Sequence, residues 1–149
     1  MNSLFTPADR EALSLRLAEL EPGTPRRWGT MEPAQMLLHC SIGLEVGTGD
    51  RPMQQVFLGK LMTPFLRGRV FGDQPFMRKV PTDPNYVVRG ACDFDAERTR
   101  LATLIDRFVQ RGPERAAQAI HHFFGQLQGH EWGILMYKHL DHHLRQFGI

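Results

Sequence analysis

From Glu131 to Phe147 the side chains Trp132, Leu135, Met136, His139, His143 and Phe147 recur at three- and four-residue intervals. A helix over this stretch puts all six on one face, with Gly148 at its end. Such a face is stable only when packed against other elements, so the chain is expected to fold as helix upon helix. The same face carries an unusual load. Residues four apart on an ideal helix differ by about 40° in direction, so the rings of His139 and His143 project one turn apart into a shared interior.

Three further segments have helical punctuation. Thr6-Pro7-Ala8-Asp9 reads as a capped start, continued by Leu13, Leu17 and Leu20 and stopped by Pro22-Gly23. Thr30 is placed to cap a second helix with Met36, Leu37, Cys40 and Leu44 on its buried side and Gly47-Thr48-Gly49 as its stop. The stretch from Asp93 to Gln110 shows the clearest stripe, Leu101, Leu104, Ile105 and Phe108, with Asp95 as the expected cap and Gly112-Pro113 as the stop. Between the second and third of these, residues 53–71 are apolar at near-helical spacing but interrupted by Gly59 and Pro64, which predicts a kinked or broken helix. From Gly72 to Cys92 three prolines predict a long loop, with Tyr86-Val87-Val88 as a short extended piece. Residues 114–129 fit no single pattern. The expected fold is all-α, an up-and-down style bundle of four long helices with a broken helix and long loop inserted between the second and third, in one domain over residues 1–149.

The chain of 149 residues is 42% hydrophobic and 23% charged, enough to build a core without a disulfide or metal staple. Its first residues lack the continuous apolar run of a signal peptide, and no stretch reaches the roughly 20 apolar residues of a membrane span. Together with only two cysteines, this predicts a cytoplasmic protein with no membrane partner. The formal charge of +2 is uneven: −3 over residues 1–50, +5 over 51–91 and zero over 92–149. Within the basic middle, Arg67, Arg69 and Arg78 are candidate anion-binding residues, against the plainer reading of a solvated surface. The same arginines alternate with Phe65, Phe71, Phe76 and Met77, which admits a nucleic-acid surface as a second, weaker reading.

Six of the seven histidines follow residue 120. The exception, His39, lies in the second helix, which a bundle can set beside the last one. His39, His139 and His143 are therefore candidate ligands of one divalent ion, since buried imidazoles need partners for their nitrogens. Three imidazoles without an obvious fourth protein ligand match an open site, and all-nitrogen ligation suits zinc or nickel before iron or cobalt. Each histidine also has a plainer reading: His39 as a hydrogen-bonded core residue, the other two as polar fillers of a groove. His142 is the alternative third ligand, a neighbour of the ligands, or a general base, with Glu131 the other candidate base. Gln35, one turn before His39, and His121 are candidate pocket residues, Cys40 is expected in the core, and Asp141 is expected in solvent.

The strings HHFFGQLQGHEWGILMYKHLDHHLRQFG and WGTMEPAQMLLHC, with DFDAERTRLATLIDRF between them, resemble the DinB-like (YfiT-like) metalloenzyme superfamily over nearly the whole chain. That resemblance implies an up-down-down-up four-helix bundle whose divalent metal is held by one histidine of the second helix and an H-x-x-x-H pair of the fourth. Residue by residue these positions fall on His39, His139 and His143. It further implies a reaction such as thiol S-transfer with an anionic low-molecular-weight thiol, or hydrolysis, on a small-molecule substrate. A homodimer is expected by the same analogy, and the superfamily also includes DNA-damage-induced proteins. His142, which doubles the second histidine of the pair, and the basic insert over 51–91 depart from the superfamily pattern.

Overall fold

A computed structural model describes residues 1–78 and 83–149. Among these residues the chain is mostly helical, with α1 (Pro7–Ala18), α2 (Pro33–Thr48), α3 (Phe57–Val70), α4 (Phe94–Ala116) and α5 (Gly129–Gln146). A short 3-10 turn spans Pro84–Tyr86. One antiparallel hairpin, β1 (Ile120–His121) and β2 (Gly125–Gln126), occupies the stretch that the sequence left undecided, so the fold is not purely helical.

The helix starts depend on local chemistry that differs from the expected caps. Thr6 makes no side-chain cap bond; instead Asp9 accepts from the Ser3 amide at 2.9 Å, tying the N-terminal arm to the first turn. Thr30 is not the start of α2. The start is Glu32, whose amide donates to the Gln35 side chain at 2.9 Å, with Pro33 opening the helix. In α4 the cap is Asp93 rather than Asp95, its carboxylate accepting from the Ala96 amide at 2.8 Å. Gly112 breaks that helix locally at φ 77°, a backbone that only glycine adopts without strain, and Pro113 starts a further turn. α1 ends four residues before Pro22, and α5 begins two residues before Glu131.

The insert also differs from expectation. α3 runs unbroken through Gly59 and Pro64, because its inner side is fastened to the hairpin. Gln55 and Thr63 both donate to the Phe123 carbonyl, at 2.9 and 3.2 Å, and a Cβ at Gly59 would overlap that same carbonyl. Tyr86 ends the 3-10 turn instead of starting an extended piece, and Val87 after it has extended backbone.

The core is drawn from four helices. Leu13 and Leu17 of α1, Met36, Leu37, Cys40 and Leu44 of α2, Leu101, Leu104 and Phe108 of α4, and Trp132, Leu135, Met136 and Leu140 of α5 form one buried cluster. Each large side chain so buried contributes about 1.5–3 kcal/mol, more than the roughly 1 kcal/mol typical of a cap. α2 is buried nearly all round, and it packs against both α4 and α5. Its glycines allow this: a Cβ at Gly47 would come within 3.0 Å of Phe108 and 3.2 Å of Trp132, and one at Gly43 within 3.1 Å of the His139 ring. The close approach at Gly43 brings the histidines of α2 and α5 together.

Candidate metal centre

His39 on α2 and His139 and His143 on α5 form a near-equilateral triangle of rings, with centroids 4.9, 4.7 and 4.8 Å apart. One ligand-capable nitrogen from each ring lies within 4.8 Å of the other two. His39 and His143 are buried, and His139 is partly exposed at the residue level.

The second nitrogen decides what each ring can do. His39 Nδ1–H donates to the Tyr86 backbone carbonyl at 2.8 Å, and His143 Nδ1–H donates to Gln146 Oε1 at 2.8 Å. Those protons fix the tautomers, since the Tyr86 carbonyl can only accept, while Gln146 Nε2 is itself committed as a donor to the Trp28 carbonyl at 2.8 Å. Both rings therefore keep an unprotonated Nε2. His39 Nε2 faces His139 Nε2 at 3.0 Å. Tetrahedral ligation with nitrogen at about 2.0–2.1 Å from zinc separates ligand nitrogens by about 3.3 Å, so small movements of these rings accommodate an ion. Without an ion, only a proton on His139 Nε2 relieves the facing lone pairs.

The site favours neutral imidazole, the ligating form. Burial pushes His143 down to about 3. It lowers His39 against the opposing pull of the Tyr86 bond, and His139 falls well below the ordinary range through burial and the neighbouring His143 and His39.

Support reaches the triangle from outside the helices. The turn carrying Tyr86 is itself held by Asp83, which accepts from the Asn85 amide at 2.7 Å and meets His122 Nε2 at 3.2 Å. Gln146, Gly43 and the Tyr86 and Trp28 carbonyls were not anticipated from sequence. Two of them had a signal there: a glutamine three residues after His143 shares its helix face, and Gly43 is a glycine one turn after His39 inside an apolar helix. The two carbonyls had none, because a carbonyl's partner is set by how the chain returns, not by residue type.

The other candidates lie outside the triangle, with His121 and His142 near enough for their charges to lower His139 further. His142 is outside the triangle: its ring lies 5.7 Å from Trp28, 6.1 Å from Phe76 and 5.1 Å from His143. His121 belongs to the hairpin, where its Nδ1 accepts from the Phe123 and Phe124 amides at 3.1 and 3.2 Å. Gln35 faces away, its Nε2 donating to the Gly90 carbonyl at 2.8 Å. Glu131 is no free base: it accepts from the Gln128 amide at 2.9 Å and from Arg67 at 2.5 and 2.6 Å. Arg67 is thereby spent on α5 rather than on an anion. Arg69 is exposed with no ion pair among the described residues. Arg78 stacks 4.0 Å over the Trp28 ring, and the adjacent His142 is lowered by burial first and by the Arg78 charge in addition, against the pull of Asp141. Cys40 is buried as expected, with its thiol pushed up by burial, and its Sγ lies 3.7 Å from Met36. Asp141 is not a solvated carboxylate, since Arg16 and Arg145 hold it at 2.8 and 3.0 Å.

The fold and site thus define a mostly helical protein with a buried cluster of three histidines suited to a metal ion. Residues 3–148 match the family described as a protein of unknown function (DUF1569), and the chain belongs to that family. No curated protein and no solved structure matches it. No helix among the described residues is long and apolar enough to cross a membrane.

Proposed function

We propose that the protein is a metal-dependent enzyme whose divalent ion is held by His39, His139 and His143, zinc or nickel before iron or cobalt. The observation that carries this reading is the pair of fixed tautomers within the triangle: His39 and His143 spend their Nδ1 protons on Tyr86 and Gln146, which leaves both Nε2 atoms bare, that of His39 facing His139 Nε2 at 3.0 Å. The reading extends to the fold, with α1, α2, α4 and α5 as an up-down-down-up bundle of the DinB-like kind and α3 as an addition to it. It also places the protein in the cytoplasm, where the thiols of Cys40 and Cys92 stay reduced.

A divalent ion in this setting supplies Lewis acidity and brings a water or thiol to its deprotonated form near neutral pH. The protein's own residues do the rest. Tyr86 and Gln146 orient two ligand rings through their Nδ1–H groups, and burial keeps the imidazoles unprotonated. Arg78, held against Trp28 beside His142, is the one candidate arginine near the cluster, and it offers a cation to a small anionic substrate such as an anionic thiol. The reaction proposed is thiol S-transfer, with hydrolysis as the other outcome of the same chemistry.

The test is a panel of low-molecular-weight thiols with electrophiles, and of activated esters, assayed with zinc- or nickel-loaded protein. Turnover that disappears on chelation, returns on reloading and is absent in His139→Ala supports the reading. Turnover that survives chelation, or none with any pair, contradicts it.

A further inference from the structure

The outer face of α3 is apolar. Phe57, Leu58, Leu61 and Phe65 are 82%, 60%, 58% and 76% exposed, and they lie within about 100° of arc on the helix. This is not a loose element that failed to dock. Its opposite side is fastened by the Arg67–Glu131 pair, by Thr63 on the Phe123 carbonyl, and by Lys138, which donates to the Val70 and Gly72 carbonyls at 2.6 and 2.8 Å. The helix is thus held with its apolar ridge pointing out.

We infer that this ridge is the contact between two copies of the chain, related by a two-fold axis beside Leu61. The pattern is symmetric about that residue: Phe57 and Phe65 stand four residues to either side of Leu61, so a two-fold sets each phenylalanine against the other one of the partner copy. Residue i and its counterpart exchange roles, as an isologous contact requires. The same register is compatible with the charges. It sets Arg67 level with Gln55 and Arg69 level with Met53, and the two copies of Lys60, beside the axis but about 110° round the helix from the centre of the ridge, stay on its exposed flank, where water separates their charges.

The area also suits a dimer. The four exposed side chains present roughly 500 Å² per copy, since a whole aromatic side chain covers about 150–250 Å². Covering the ridge on both copies removes about 1,000 Å², the lower bound for a specific interface, and exposed Val56 at the start of the helix adds to it. A patch of this size is at the upper end of what monomers leave in water.

The test uses the full-length chain with Cys92→Ser, which leaves buried Cys40 as the remaining native thiol. Sedimentation is expected to give a dimer that Leu61→Glu converts to a monomer of half the mass with unchanged helix content by circular dichroism. In the same background Leu61→Cys is expected to cross-link with a short bis-maleimide. Phe57→Cys alone is not, because its counterpart lies about 12 Å away along the helix. A monomer at every concentration, a dimer unaffected by Leu61→Glu, or cross-linking by Phe57→Cys but not by Leu61→Cys overturns the inference. So does a monomer that co-sediments with anionic phospholipid vesicles through this face, which would make the ridge and its flanking Lys60 and Arg69 a lipid contact.

Discussion

Two groups of buried and partly buried histidines in this protein use their nitrogens in opposite ways. In the first, His39 and His143 donate their Nδ1 protons to carbonyl oxygens, which leaves their Nε2 atoms bare, and that of His39 faces His139. In the second, His121 turns its bare Nδ1 onto two amides of its own hairpin, while His122 pairs with Asp83. Burial lowers the imidazoles of both groups, so neither burial nor a depressed pKa separates a ligand from a structural residue. The separation comes from where the unprotonated nitrogen points: at a converging set of lone pairs in one case, at backbone N–H groups in the other.

The largest expected effect is one that both groups share. His121 and His143 titrate at about 3 in the fold against an ordinary 6.5. Between those values the unfolded chain binds protons that the folded chain refuses, so their stabilisation is complete above pH 6.5 and is lost as pH falls toward 3. The melting temperature of metal-free protein should therefore drop steadily from pH 6.5 to 5, before most carboxylates titrate. A flat profile there would remove the shared part of the comparison.

The next effects split the groups. Gln146→Ala leaves His143 Nδ1–H and the Trp28 carbonyl without their partner, and metal affinity measured by chelator competition should fall about 10- to 100-fold. His121→Ala strips the Phe123 and Phe124 amides of their acceptor and should lower stability in urea by about 1–2 kcal/mol, with metal affinity unchanged. If the two substitutions exchange these phenotypes, the distinction between the groups is wrong. The smallest effect belongs to His142→Ala, whose ring packs on Trp28 and Phe76 outside the triangle: metal content intact and stability within about 0.5 kcal/mol.

The elements that could be read in advance were those governed by periodicity. The stripes of α4 and α5, the place of His39 in α2 and the shared face of His139 and His143 all follow from a 3.6-residue repeat, and the structure brings these three histidines together. What could not be read depended on partners distant in sequence. Nothing in residues 53–71 announces that the Phe123 carbonyl will steady α3 through its glycine and proline. Arg67 looked like an anion ligand because Glu131, 64 residues away, could not be known as its partner. Glu131 looked like a base for the same reason. The hairpin at 120–126 is held by a histidine accepting backbone amides, a role with no pattern of its own.

The central claim is that three imidazoles, and not the fourth beside them, hold one ion. Elemental analysis of untagged protein tests it most directly. The account predicts about one equivalent of divalent metal in the wild type and in His142→Ala, and none in His39→Ala, His139→Ala or His143→Ala. A metal-free wild type, or full retention in His143→Ala with loss in His142→Ala, would contradict it.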